Sequence, residues 1–177
     1  MSGADLEVTN KLKRIRLLIL DVDGVLTDGS ITYNDNGAEA KVFNVKDGLG
    51  LRLLMDAGIK VCIATGRTSK ALRHRCRDLG IDHVFEGVRE KDTLLDSIIE
   101  QTGVSVEEIA FVGDDLVDLP LMKKIGLAIA VADAHEAVLD NVAMVTSAIG
   151  GSGAVREVCE AILKAQGLWD NILGRYL

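Results

Sequence analysis

Leu17-Leu-Ile-Leu-Asp21-Val-Asp23-Gly-Val-Leu-Thr-Asp28-Gly29 is the stretch on which the reading of this chain turns. Four apolar residues run into two carboxylates spaced i, i+2, and a glycine follows. An unbroken apolar run closed by a turn signal reads as a strand buried on both faces, of the kind found in the middle of a parallel sheet. In open α/β sheets ligands sit beyond the carboxyl ends of the strands. Asp21 and Asp23 are therefore expected at the mouth of a site, on a shared face if the strand geometry continues. Gly24 lets the chain turn away through a backbone conformation closed to other residues. Two like charges 4 Å apart repel by roughly 4 kcal/mol at an effective dielectric of about 20, so the pair calls for a proton or a nearby cation. Mg2+ suits a site of one or two carboxylates with water and phosphate oxygens. A solvated acidic turn is the bland alternative, and a buried strand leading straight into the pair weighs against it. A calcium-binding EF-hand is excluded. Counted from Asp21, Val25, Leu26 and Thr32 stand where that loop needs an acid or amide, a glycine and a glutamate.

Further strands are expected at Lys60-Val-Cys-Ile-Ala-Thr65, His83-Val-Phe85, Ile109-Ala-Phe-Val112, Leu127-Ala-Ile-Ala130 and Ala143-Met-Val-Thr146. Asn34-Asp-Asn36-Gly37, between Ser30-Ile-Thr-Tyr33 and the run 38–45, is a hairpin signal. A helix is expected over 48–57, capped by Asp47, with Leu49, Leu53, Leu54 and Ala57 on one face and Gly58 closing it. Ser69 is expected to cap a helix ending at Leu79 and Gly80. Another helix should run from about 92 to 101, and Ser105-Val-Glu-Glu108 has capping-box spacing. Short and longer helices are expected over 135–139 and 154–165. Strands alternating with helices imply a doubly wound parallel sheet, a Rossmann-like α/β core, with one antiparallel hairpin attached.

The 177 residues are most simply one domain, 1–177, with a hairpin at 30–45 and a tail at 167–177. A formal net charge of −7 argues against nucleic acid or an anionic membrane as the main partner. Cys62, Cys76 and Cys159 form no CxxC and are odd in number, so neither a disulfide framework nor a zinc site is expected. Cys62 belongs to a core strand, and the pattern fits the reducing cytoplasm. Met1 to Arg16 has no apolar leader-like run, and no stretch is long enough to span a membrane. Arg14, Arg16 and the early lysines read as solvated surface. His74, His83 and His135 lack metal-ligand spacing. Gly150-Gly-Ser-Gly153 does not complete a dinucleotide fingerprint and reads instead as a flexible hinge for the C-terminal segment.

Chemically able residues stand at the ends of several strands: Asp21 and Asp23, Thr65, and Asp114 with Asp115, while Lys91 follows the short strand at 83–85. A parallel sheet brings them to one edge, and that convergence is more specific than any one motif. It suits phosphoryl transfer through a carboxylate. Asp21 is the expected nucleophile, and Asp23 the acid and then base. Mg2+ is expected on Asp21, Asp114 and the backbone oxygen of Asp23. Lys91 and the Thr65 hydroxyl are expected to hold the phosphoryl oxygens. Asp115 and Asp118 are expected to orient Lys91 or waters around the metal. Arg67 and Arg75 are candidates to bind a substrate carboxylate, with an ordinary ion pair the equal alternative for Arg67. Lys46 and Asp47 are read either at the substrate or as a strand-end charge and a helix cap.

Asp21-Val-Asp23-Gly-Val-Leu-Thr, Thr65-Gly-Arg67, Lys91 and Gly113-Asp114-Asp115-Leu-Val-Asp118 resemble, in order, the four motifs of the haloacid dehalogenase superfamily of phosphatases. Thr27-Asp28-Gly29, the hairpin, Phe43-Asn-Val-Lys46-Asp-Gly48, Arg75-Cys76 and Gly150-Gly-Ser-Gly-Ala-Val-Arg-Glu157 are similar to one of its branches. That branch acts on a phosphorylated eight-carbon sugar acid destined for lipopolysaccharide, and the similarity covers nearly the whole chain. The resemblance implies a cytoplasmic Mg2+-dependent phosphatase, with Arg75, Lys46 and Asp28 among the residues near substrate. It also implies a homotetramer whose four hairpins form a barrel and whose neighbouring subunits close each site. The intervals from Asp23 to Thr65 and from Thr65 to Lys91 are too short to house the cap domain common in the superfamily. The tail is a further candidate to reach a site.

Two other readings compete. A phosphatase for a related nine-carbon keto-sugar acid phosphate, or a broad sugar phosphatase, shares the chemistry. A phospho-acceptor signalling module shares the acidic pocket, Mg2+, Thr and Lys, but the acid/base Asp23 beside the nucleophile favours turnover over storage of the phosphoryl group.

Overall fold

A computed structural model describes residues 3–177. Met1 and Ser2, at the head of the segment read above as lacking a leader, lie outside the described residues. The central strand is β1 (Leu17–Leu20), all four residues buried. It is flanked in parallel by β4 (Lys60–Ala64) and β6 (Ile109–Gly113). Next to these lie β5 (His83–Phe85) on one side and β7 (Leu127–Ala130) then β8 (Met144–Val145) on the other, so the order is β5-β4-β1-β6-β7-β8. The continuous apolar runs follow from this placement, because strands covered on both faces have no solvent side to make polar.

The chain starts in the middle, moves outward through β4 to β5, then returns to β6 and moves outward the other way. Right-handed crossovers therefore put α2 (Val45–Asp56) and α3 (Lys70–Leu79) on one face. They put α4 (Leu95–Thr102), α5 (Leu119–Met122) and α6 (Glu136–Leu139) on the opposite face. The reversal leaves a crevice between the carboxyl ends of β1 and β6. α7 (Ala154–Ala165) packs along α2, and α1 (Gly3–Leu12) packs on α7. A Cβ on Gly50 would lie 3.3 Å from the Cys159 Cβ and 3.2 Å from the Arg156 Cα, so glycine there sets how close α2 and α7 come.

Local signals placed several boundaries well. Ser69 caps α3, accepting from Leu72 N, and Gly80 ends it in the left-handed region. Ser105 and Glu108 form the expected capping box. His135 caps α6, its Nδ1 accepting from Ala137 N, and Cys62 is wholly buried.

The α2 expectation needs correcting. The helix begins three residues early, at Val45, because Asn44 is as good a cap as Asp47 and accepts from Lys46 N at 2.8 Å. Asp47 falls inside the first turn, is 1% exposed, and accepts from Arg156 N at the start of α7. Leu49 is exposed while Leu51 and Leu54 are buried. Because α2 touches both the sheet and α7, its buried arc runs through the glycines. The hairpin is present as β2 (Thr32–Tyr33) and β3 (Glu39–Ala40), a separate antiparallel pair whose ladder is shorter than its sequence arms. Asn34 Oδ1 accepts from Asn36 N and Ala38 N and closes the turn. The segment from Asp23 to Thr65 holds only this hairpin and α2 besides β4, and no cap domain is inserted.

The C-terminal tail forms α8 (Trp169–Leu173), with Ile172 buried. It borders a cavity shared with Leu53, Asp56 and Ala57, at the end of α2 remote from the carboxyl ends of the strands.

Candidate active site

Register sets the site. Leu20 pairs with Ile63 on one side and Val112 on the other, so the chain leaves β1, β4 and β6 at nearly one height. Asp21 N still donates to Val112 O at 3.0 Å, which carries the strand one residue further and holds the Asp21 side chain at the sheet edge. Beyond it the chain wraps on itself: Val25 N, Leu26 N and Thr27 N all converge on Val22 O. Val22 and Val25 are fully buried anchors, while Asp23 between them is partly exposed. Thr27 Oγ1 accepts from Gly24 N and Gly29 N. Gly24 has φ 94°, and a Cβ there would lie 2.0 Å from Asp114 Oδ2, so glycine makes room for the carboxylate arriving from β6.

Residues 150–153 press on this loop from below. Gly151 N donates to Val25 O and Gly150 N to Asp133 Oδ1, both at 2.9 Å. A Cβ on Gly150 would sit 1.7 Å from Gly24 O. The hinge expected from this glycine run is thus corrected: the glycines permit close packing of two backbones beneath the acidic loop.

Lys91 is 2% exposed, and its Nζ donates to Asp21 Oδ1 and Asp118 Oδ1, each at 2.6 Å. Asp118, 0% exposed, accepts through Oδ2 from Asp114 N at 3.0 Å and Asp115 N at 3.3 Å. Asp115 caps the following turn, its Oδ1 accepting from Leu116 N. Asp118 therefore ties Lys91 to the loop after β6, and a side chain on Gly113 would collide with it.

Carboxylates crowd this end of the sheet. Burial, reinforced by Asp118 and opposed by Lys91, raises the Asp21 carboxyl to about 6. Burial and then the charges of Asp21, Asp118 and Asp115 raise Asp114 to about 8. Burial alone would lower the Lys91 ammonium, but Asp21 and Asp118 hold it above its usual value. Carboxylate oxygens of Asp21, Asp114 and Asp118 lie within 4.8 Å of one another. Both oxygens of Asp118 are already committed, whereas Asp114 Oδ1 is buried with no hydrogen-bond partner. An all-oxygen cluster with an orphaned buried carboxylate oxygen fits a hard cation such as Mg2+.

Thr65, 2% exposed, accepts from Arg67 N through its hydroxyl oxygen at 3.2 Å, leaving the hydroxyl proton to be donated. On the near side the hairpin reaches the site. Lys41 Nζ contacts Asp23 Oδ1 and lies 2.9 Å from Glu39 Oε1. Arg67 donates to Glu39 Oε2 at 2.6 Å and to Tyr33 Oη at 3.1 Å, and its Nε lies 3.6 Å from Asp23 Oδ2. Lys41 holds the Glu39 carboxyl below its usual range. Burial alone would lower the Lys41 ammonium, but bonds to Asp23 and Glu39 raise it.

Asp21, Asp23, Thr65, Arg67, Lys91, Asp114 and Asp115 line one cleft of about 400 Å³, with Asp118 directly behind Lys91. Three other candidates stand elsewhere in the chain. Arg75 packs over Gly48 and donates to Asn44 O at 3.3 Å, beneath the start of α2. Lys46 is exposed on the first turn of α2. Asp28 is exposed and closes a turn by accepting from Ser30 N. Sequence reasoning missed Glu39 and Lys41, although their i, i+2 spacing on a hairpin arm places them on one face. It also missed Arg89, two residues before Lys91, which lines the same cleft.

Comparison with known proteins gives a consistent result. A sequence model described as haloacid dehalogenase-like hydrolase matches residues 38–126, and the acidic pair at 21 and 23 lies ahead of that match. The 3-deoxy-D-manno-octulosonate 8-phosphate phosphatase of Escherichia coli K12 is 47% identical over 169 residues, 96% of this chain and 90% of that protein. The Moraxella catarrhalis phosphatase of the same name was solved with magnesium, phosphate and 3-deoxy-D-manno-octulosonate (KDO). It superposes with a TM-score of 0.94 at 42% identity, covering 97% of this chain and 98% of that one. A cobalt-bound form of the Haemophilus influenzae phosphatase gives a TM-score of 0.86 at 49% identity over 89% and 92% of the two chains.

Proposed function

Because the chain belongs to the haloacid dehalogenase-like hydrolases, we propose that it is a Mg2+-dependent phosphatase that hydrolyses KDO 8-phosphate to the free sugar acid and phosphate. The observation carrying this reading is the convergence of Asp21, Asp23, Thr65, Lys91 and Asp114 on one cleft, in a chain that is nearly half identical, along almost its full length, to phosphatases of that name.

Asp21 attacks phosphorus, a carboxylate O–P bond forms, and the bond from phosphorus to the sugar oxygen breaks. Asp23, entering as the acid, gives its proton to that leaving oxygen. As a carboxylate it then takes a proton from water; the water oxygen attacks phosphorus, phosphate departs, and the Asp21 carboxylate is restored. Lys91, aimed at Asp21 by Asp118, and the Thr65 hydroxyl bind the phosphoryl oxygens as charge redistributes. Lys41 and Arg67 fix the position of the Asp23 carboxylate. When bound by Asp21, Asp114 and the backbone oxygen of Asp23, Mg2+ supplies positive charge that offsets repulsion between nucleophile and substrate.

We read residues 1–177 as one capless unit that assembles as a homotetramer. Support comes from the hairpin, which leaves Ile31, Tyr33 and Val42 exposed beside an open cleft. The tail packs away from its own chain's cleft, so any contact it makes with a site is with a neighbour's. No helix among the described residues is long and apolar enough to cross a membrane. The three free, buried cysteines fit a cytoplasmic step in lipopolysaccharide precursor synthesis.

Steady-state kinetics with Mg2+ on KDO 8-phosphate, a nine-carbon keto-acid 9-phosphate and simple sugar phosphates tests the reading. The highest kcat/KM is expected on KDO 8-phosphate. Equal turnover across the panel would establish a broad phosphatase, and a phosphoenzyme stable for minutes would favour the phospho-acceptor alternative.

A further inference from the structure

The cleft is lined by four carboxylates and three cations. Two of the cations are engaged inside the protein. Lys91 is shared between Asp21 and Asp118. Arg67 is bound by Glu39 and Tyr33 and faces Asp23. Arg89 is the third: it is exposed, lines the cleft, and has no hydrogen bond or ion pair among the described residues. The backbone on either side of it is held by hydrogen bonds. Gly87 N donates to Arg67 O at 3.3 Å and Val88 N to Thr65 O at 3.1 Å, which fastens the preceding residues onto the Thr65 loop. On the other side Glu90 O accepts from Thr93 N at 3.1 Å and from Thr93 Oγ1 at 2.6 Å, and the turn leading into Lys91 begins there.

We infer that Arg89 binds the substrate's carboxylate at the mouth of the cleft and so selects sugar acids over uncharged sugars. The inference rests on the functional reading above. The phosphoryl group belongs at the floor, where Asp21, Thr65 and Lys91 are 7%, 2% and 2% exposed. In a sugar acid esterified at its terminal hydroxyl the carboxylate lies at the other end of the chain, toward the exposed rim. A guanidinium offers a planar pair of N–H donors that matches a carboxylate, and at this rim it also offsets the surplus of acids. Neither Arg75 nor Lys46 lines the cleft, so among the described residues of one chain Arg89 is the lining cation free for this task.

The test is kinetics of wild type, Arg89→Ala and Arg89→Lys with Mg2+. The substrates are KDO 8-phosphate, a nine-carbon keto-acid 9-phosphate, and two esters without a carboxylate, mannose 6-phosphate and p-nitrophenyl phosphate. Thermal unfolding of each variant should match wild type. For Arg89→Ala, KM on both acids is expected to rise about tenfold or more, the loss of a charge-assisted hydrogen bond, with kcat within about twofold. Arg89→Lys should fall between, and the two carboxylate-free esters should be unaffected. An equal loss on all four substrates would place Arg89 at the phosphate and overturn the inference, as would unchanged KM on the acids. Wild-type selectivity alone judges the functional reading: a wild type without preference for acids refutes that reading, whereas a selective wild type matched by Arg89→Ala refutes only the role of Arg89.

Discussion

Replacing Lys91 by Met separates charge from packing. Met preserves most of the stem that lies near the Phe111 ring, whose centroid is 5.6 Å from Nζ, but deletes the ammonium that bridges Asp21 and Asp118. Both carboxylates are buried, with side chains 10% and 0% exposed. Removing one partner of a buried ion pair costs about 3–5 kcal/mol because the remaining charge is stranded. For a protein of this size that corresponds to a fall in Tm of roughly 6–20 °C. The sign of the pH dependence follows from Asp21, whose folded pKa already stands at about 6 against an ordinary 3.8. Without Lys91 it rises further. A group with a raised folded pKa contributes stability that is complete below its unfolded pKa and is lost as pH climbs through the folded one. The deficit of Lys91→Met relative to wild type should therefore be small near pH 4 and open progressively from about pH 5 upward. Urea or thermal unfolding of both proteins between pH 4 and 9 without divalent metal measures it. Turnover should be lost at every pH. A deficit under about 1 kcal/mol at pH 8, or one independent of pH, would refute the claim that Lys91 compensates a buried carboxylate at Asp21.

Asp21→Asn should fold normally by circular dichroism yet retain less than about 1% of wild-type kcat, since an amide cannot form the acyl phosphate. Metal-free wild type should lose thermal stability as pH rises through about 8, where burial and neighbouring acids resist ionisation of Asp114, and added Mg2+ should flatten that profile; a flat profile without metal would contradict the site. Gly150→Ala should lower both Tm and kcat, because its Cβ would meet Gly24 O at 1.7 Å and displace the loop carrying Asp23; kcat equal to wild type would show the contact to be unimportant. Deleting the hairpin turn should convert a tetramer to smaller species in light scattering and relax substrate preference, and a selective, fully active monomer would refute the assembly.

Much of the architecture was legible in the chain because its signals are local. An apolar run ending in an acid, as at Leu20–Asp21 or Val112–Asp114, specifies both a buried strand and the polar edge where it stops. Ser69, Gly80 and the Ser105–Glu108 box mark helix ends through contacts made within a few residues. The order of the acidic, Thr, Lys and acidic motifs then implied one edge and one chemistry. Elsewhere local signals were ambiguous. Asn44 and Asp47 are both competent caps, and the choice between them depended on Arg156 N, which takes up Asp47 from 109 residues away.

The sequence by itself therefore determined the strands and their polar ends, which follow from periodicity and from the cost of burying charge, while the chemical class came from the ordered motifs at those ends and their resemblance to a known family. Only the tertiary structure decided which charges meet. Lys41 lies 18 residues from Asp23, Lys91 lies 70 from Asp21, and the glycines at 150 and 151 lie more than 120 from the loop they support. It also put Arg75 beneath a helix and left Arg89 exposed in the cleft lining, without a hydrogen bond or ion pair among the described residues. Ion pairs and close backbone contacts depend on distances set by packing the whole sheet and its helices, and no short window of sequence carries that distance.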